Sequence, residues 1–145
     1  SALAEQTTPK STALVDVHAT VTSIDFVDYD LDLGELGGKL QWHPPNDISQ
    51  VRGYDVYIFQ YAGDVQVPAV PTDNRTALLR TPVGVNEVTV PADTSVPKWR
   101  AVKLAIFTRS DLCEQTTPAS VVAFDASASV SAVSFEDRDL DPYEV

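Results

Sequence analysis

The sequence predicts an all-β domain folded as a two-sheet sandwich of seven short strands. Three observations predict it. Apolar and polar residues alternate at period two in one stretch after another, while a 3.6-residue helical period is nowhere sustained. The chain is rich in Val and Thr, with 10 Pro and no Met, a composition that suits β-branched strands broken by turns. The chain also repeats itself: SALAEQTTP at 1–9 returns as SDLCEQTTP at 110–118. The offset of 109 (Ser110 against Ser1) runs without a gap to Val145, and aligning 1–36 with 110–145 gives 17 identities.

The elements follow in order. A first strand is read at 21–27. Residues 33–38, with Gly34, Gly37 and Gly38, read as a turn. The second strand is 39–43, with Leu40 and Trp42 on one face, and Pro44-Pro45-Asn46-Asp47 breaks it. The third is 53–59, with Tyr54, Val56 and Ile58 inward. A weaker fourth strand is placed at 76–81 and a fifth at 86–90, with Val88 and Val90 inward. The sixth, 100–108, is expected to turn Val102, Leu104 and Ile106 inward and Lys103 and Thr108 outward. The seventh is 119–125. The repeat divides the chain into 1–17, the final strand and linker of a preceding repeat; 18–127, a complete repeat; and 128–145, the first strand and acidic turn of the next. The segment thus reads as one excised from a longer array. Its partners are adjacent repeats of the same type and, through unpaired strand edges at 1–17 and 130–136, neighbouring chains by strand exchange.

Composition bounds the function. At 43% hydrophobic the chain can bury one core, and its net charge is −11. Such a surface repels a phosphate backbone, so nucleic acid is not an expected partner. No apolar run reaches the roughly 20 residues that span a bilayer. Cys113 is the only cysteine, so no internal disulfide forms and the redox compartment stays open.

Leu40-x-Trp42-x-Pro44-Pro45 followed by Gly53-Tyr54-x-Val56-Tyr57 resembles the second- and third-strand signature of fibronectin type III domains. The resemblance spans about 21–125 and implies an immunoglobulin-like sandwich with that topology. The sequence departs from the family at the sixth strand, where the usual tyrosine is missing and Trp99 stands nearby. The acidic repeat is also similar to arrays in large extracellular proteins of single-celled algae. These resemblances imply adhesion, spacing and protein binding, at an extracellular or cell-surface location, without a catalytic site.

The strongest candidate for chemistry is the acidic run Asp28, Asp30, Asp32 and Glu35, which recurs as Asp137, Asp139, Asp141 and Glu144. In an extended chain, alternate carboxylates crowd one side and repel. A hard oxygen-seeking cation relieves this, and Ca²⁺ suits such ligands. The spacing is not that of an EF-hand, because Leu33 stands where the loop needs Gly. By analogy with calcium-stiffened cadherin-like arrays, the run is expected to face Asn46, Asp47, Asp111 and Glu114 of the next repeat. The other reading is a solvated acidic turn. No other cofactor is called for.

Asn74-Arg75-Thr76 is an N-glycosylation sequon. Cys113 reads as a partly buried thiol acting as a small hydrophobe, with a role in cross-linking chains as the alternative. His18 and His43 lack partners at zinc-ligand spacing. There is no nucleophile elbow, phosphate loop or HExxH, so an enzyme is not expected. Tyr57, Phe59 and Tyr61 share the outward face of the third strand. They form either an exposed aromatic stripe for a protein or glycan, or a packed layer under 62–74. A structural or adhesive tandem module is the function predicted, and a ligand-binding adhesion module is the alternative.

Overall fold

A computed structural model describes residues 8, 10–13, 18–60, 75–96, 102–136 and 138. Seven strands appear in it: β1 (Thr22–Asp28), β2 (Glu35–His43), β3 (Gly53–Gln60), β4 (Arg75–Pro82), β5 (Glu87–Ser95), β6 (Val102–Arg109) and β7 (Ala119–Ala123). They form two antiparallel sheets, ordered β1-β2-β5 and β4-β3-β6-β7. This is the predicted seven-strand sandwich.

The core follows from strand parity. Leu36, Leu40 and Trp42 from β2 and Val90 from β5 face Tyr54, Val56, Ile58, Val102, Leu104 and Ile106 across the two sheets. The rings of Trp42 and Tyr54 meet edge to face at 5.4 Å between centroids. Val21, Val51 and Val96 close the ends of this cluster.

Three expectations are corrected. First, β2 begins at Glu35, so most of the presumed turn is strand. Its glycines are there because backbones approach closely: a Cβ on Gly38 would sit 2.1 Å from the Val27 carbonyl oxygen, and one on Gly37 2.8 Å from the Ala92 Cα. Only Gly34 takes the left-handed turn conformation, at φ 92°. Second, β5 runs on to Ser95, pairing Glu35 with Ser95 and Leu36 with Thr94. Pro91 interrupts it at an irregularity on a sheet edge, where a missing N–H is tolerated. Third, Thr108 points inward and is buried. It shares parity with Ile106 and pairs with Tyr54; its register in the sheet overrides its polar identity.

Loops gather at two poles. At the entry pole, where β1 begins, the β2–β3, β4–β5 and β6–β7 loops meet, with Arg52 N–H donating to the Arg109 carbonyl and Val83 N–H to that of Arg52. At the exit pole the β1–β2 loop meets the ends of β5 and β7. Val96 N–H donates there to the Gly34 carbonyl, and Ala128 N–H to that of Leu31.

Candidate functional site

The acidic run lies at the exit pole. Strand β1 ends at Asp28, so the chain beyond it is a loop and the carboxylates do not form one stripe. Asp28 turns inward. Its Oδ1 accepts from the N–H of Asp30 at 3.1 Å and of Gly37 at 2.9 Å. Its Oδ2 accepts from Ala126 N–H at 2.9 Å. One carboxylate thus ties the loop, β2 and the segment leaving β7. Asp125 makes the reciprocal contact, its Oδ2 accepting from Gly34 N–H at 2.8 Å.

Asp30 accepts from Asp32 N–H at 3.0 Å and from Asp93 N–H at 2.8 Å. The Asp93 N–H, then that of Asp32, hold the Asp30 carboxyl below its ordinary range. Carboxylate oxygens of Asp30, Glu35 and Asp93 lie within 4.8 Å of one another. Asp28 and Asp32 are not in that group. Asp93 is the member the sequence reading missed: it comes from β5, at φ 61°, and no local motif marks it. Asp137, Asp139, Asp141, Glu144 and Asn74 lie outside the described residues, as do Tyr61 and Trp99.

Of the residues expected to face an acidic loop of a neighbouring repeat, Asp47, Asp111 and Glu114 each have a partner within the unit. Asp111 accepts from Arg52 Nε at 2.8 Å, and Asp47 accepts from Ser49 N–H at 2.9 Å. Glu114 turns to the outer face of the β4-β3-β6-β7 sheet, where Arg75 Nη1 donates to it at 2.7 Å and the Tyr57 hydroxyl at 2.8 Å. Cys113 is exposed rather than partly buried. Its carbonyl is held by Ser110 N–H at 2.9 Å, which fixes the turn and leaves the side chain outside the core.

Tyr57 is half-buried on that same outer face. Its ring packs edge to face on Phe107 at 5.3 Å, and the Arg75 guanidinium lies 4.2 Å above its centroid. Burial, then the hydrogen bond and charge of Glu114, push its phenol pKa up. Phe107, which the sequence reading left unassigned, is 3% exposed. Beside it Asp55 is buried and paired with Arg80 Nε at 2.6 Å and Arg109 Nε at 3.4 Å. Arg75 and Arg80 thus interleave with Tyr57, Phe107 and Asp55 on this face.

The entry pole holds an open cavity of about 550 Å³, lined by Ala19, Val51, Thr108, Leu112 and Gln115 among others. The segment entering β1 is pinned there, since Gln115 Nε2 donates to Thr20 Oγ1 at 2.6 Å.

No family model matches the sequence, and no curated protein matches it. Among solved structures the chain is similar to the solution structure of the third fibronectin III domain of human KIAA0343 protein. The two share 9% identity with a TM-score of 0.45, over 87% of this chain and 99% of that one. At that level the sandwich rests on its own strand order and register.

Proposed function

We propose that this chain is a non-catalytic structural module of an extracellular or cell-surface tandem array. Residues 18–127 form one complete unit and 130–136 the first strand of the next. One observation carries the reading. Val130, Val133 and Phe135 are 89%, 82% and 78% exposed. Their counterparts one period earlier are Val21, at 1% exposed, and Ile24 and Phe26, which pack against the core. A segment with the sequence of a core strand thus has no core on it, and burying each such side chain is worth about 1.5–3 kcal/mol. The backbone supports the same register: Ser23 has φ 51° and its counterpart Ala132 φ 55°.

The test extends the chain by one period. Val145 aligns with Leu36, so the 145-residue chain followed directly by a second copy of residues 37–145 continues the register. The denaturant m-value is expected to rise with the added buried surface, and the amides of 130–136 to gain exchange protection. If 130–136 stays unprotected, the tandem reading fails.

The alternative, recognition of protein or glycan through the strand β3 face, has less support. Tyr57 and Phe59 are half-buried there, and Tyr57 is covered by Arg75. Calcium enters the reading as a subsidiary proposal through Asp30, Glu35 and Asp93. Millimolar calcium is expected to raise Tm in the wild type and not in Asp93→Asn. Equal Tm values with calcium and with chelator remove the cation.

A further inference from the structure

Building on the tandem reading, we infer that successive units abut without a free linker, and that the apolar tip of the β1–β2 loop seats in the entry-pole cavity of the following unit. The segment leaving β7 is fastened to its own unit at three successive places: Asp125 to Gly34, Ala126 to Asp28, and Ala128 to the carbonyl of Leu31. The segment entering β1 is fastened from its first residues: Gln115 holds Thr20, and Val21 is buried. One period later Thr20 becomes Ser129, which keeps the hydroxyl, and Val21 becomes Val130. Residue 128 is therefore held by one unit and residues 129 and 130 by the next. Consecutive Cα atoms are about 3.8 Å apart, so the junction has no slack. A flexible linker needs a run of unfastened residues, and none is left here.

This adjacency brings the loop tip to the cavity. Ala19 lines the cavity, and its counterpart one period later is Ala128. Ala128 is the residue whose N–H is bonded to Leu31. Leu31 thus stands beside the wall of the next unit's cavity.

Both surfaces carry exposed apolar side chains, set among Asp32 on the loop and Arg109 and Ser110 on the cavity wall. Tyr29, Leu31 and Leu33 are 71%, 55% and 39% exposed at the exit pole, and Leu112 is 92% exposed on the cavity rim. Apart from Val27 and residues 124–135, the exposed large hydrophobic side chains among the described residues all lie at the two poles. Soluble surfaces seldom keep such groups uncovered together.

The extended two-unit protein tests this by ¹⁵N relaxation and amide shifts. A single rotational correlation time for both units is expected, well above that of the 145-residue chain. Amide shifts are expected at Val51 and at 108–115 of the second unit. Leu31→Ser in the first unit, which adds no charge, should remove those shifts and drop the correlation time toward the single-chain value; Leu112→Ser in the second should do the same. Two folded units that tumble independently overturn the abutting junction while leaving the tandem reading intact. Shifts that persist in both variants overturn the seating of Leu31. An unprotected 130–136 segment overturns the tandem reading and this inference with it.

Discussion

Replacing Asp28 by Ala tests the carboxylate that joins loop, sheet and exit segment. Three backbone N–H groups lose their acceptor at once, from Asp30, Gly37 and Ala126. A hydrogen bond to a charged group contributes about 1.5–3 kcal/mol, but such bonds are not additive. Asp28 is half-buried, so water recovers part of the loss. The expected destabilisation is about 2–4 kcal/mol, or a Tm lower by very roughly 10 °C for a domain of this size. Asp28→Asn keeps an oxygen for Asp30 and Gly37 but turns an amide N–H₂ toward Ala126 N–H, and is expected to cost about half as much. Thermal unfolding gives the totals. Amide exchange gives the place: Ala126 should exchange faster in both variants, and Gly37 mainly in Asp28→Ala. The loss should be the same with calcium and with chelator, since it arises from hydrogen bonds to the main chain. A destabilisation under about 0.5 kcal/mol in Asp28→Ala, within the range of ordinary surface changes, would refute the reasoning. So would a loss that appears only when calcium is present.

The other predictions are briefer. Gly38→Ala is expected to cost more than about 3 kcal/mol or to prevent folding, because its Cβ meets the Val27 carbonyl. Gly84→Ala, at φ +91° with open space around it, should cost only about 1 kcal/mol. Urea titration of the pair checks both, and equal costs would contradict the close approach at Gly38. Tyr54 is fully buried and its hydroxyl has no hydrogen-bond partner. Tyr54→Phe is therefore expected to be neutral or stabilising in the same titration, and a loss above about 1 kcal/mol would reveal a partner for that hydroxyl. The Asp30 carboxyl has a folded-state pKa below its ordinary value, through the N–H groups of Asp93 and Asp32. A depressed carboxylate pKa contributes stability that is complete above the ordinary value of about 3.9 and is lost as pH falls through the folded-state value. The Tm gap between wild type and Asp30→Asn should thus be widest near neutral pH and close in acid. A gap that widens below pH 4 would reverse the sign and sink the assignment.

The seven strands and most of the core were legible in the sequence, because alternation is a local property of extended backbone. Leu40, Trp42, Tyr54, Val56, Ile58 and Val90 each declare their face within a few residues of chain. The repeat was legible for the same reason: it needs only a comparison of the chain with itself. What the residues alone did not reveal depends on which distant segments are brought together. Gly37 and Gly38 look like turn residues until Ala92 and Val27 lie against them. Thr108 looks like a surface residue until its pairing with Tyr54 carries it inward. Glu114 reads as a loop acid until Arg75 and Tyr57 claim it. Asp28 reads as one of several equivalent carboxylates, yet the tertiary structure gives it three N–H donors, one of them 98 residues away, while Asp93 enters the acidic group from another strand. Alternation and self-comparison thus placed the seven strands approximately and most of the core faces, since both are read over short stretches of chain. Which carboxylates hold the chain together was not legible in this way, because a hydrogen bond is set by distances across the fold rather than by neighbours along it.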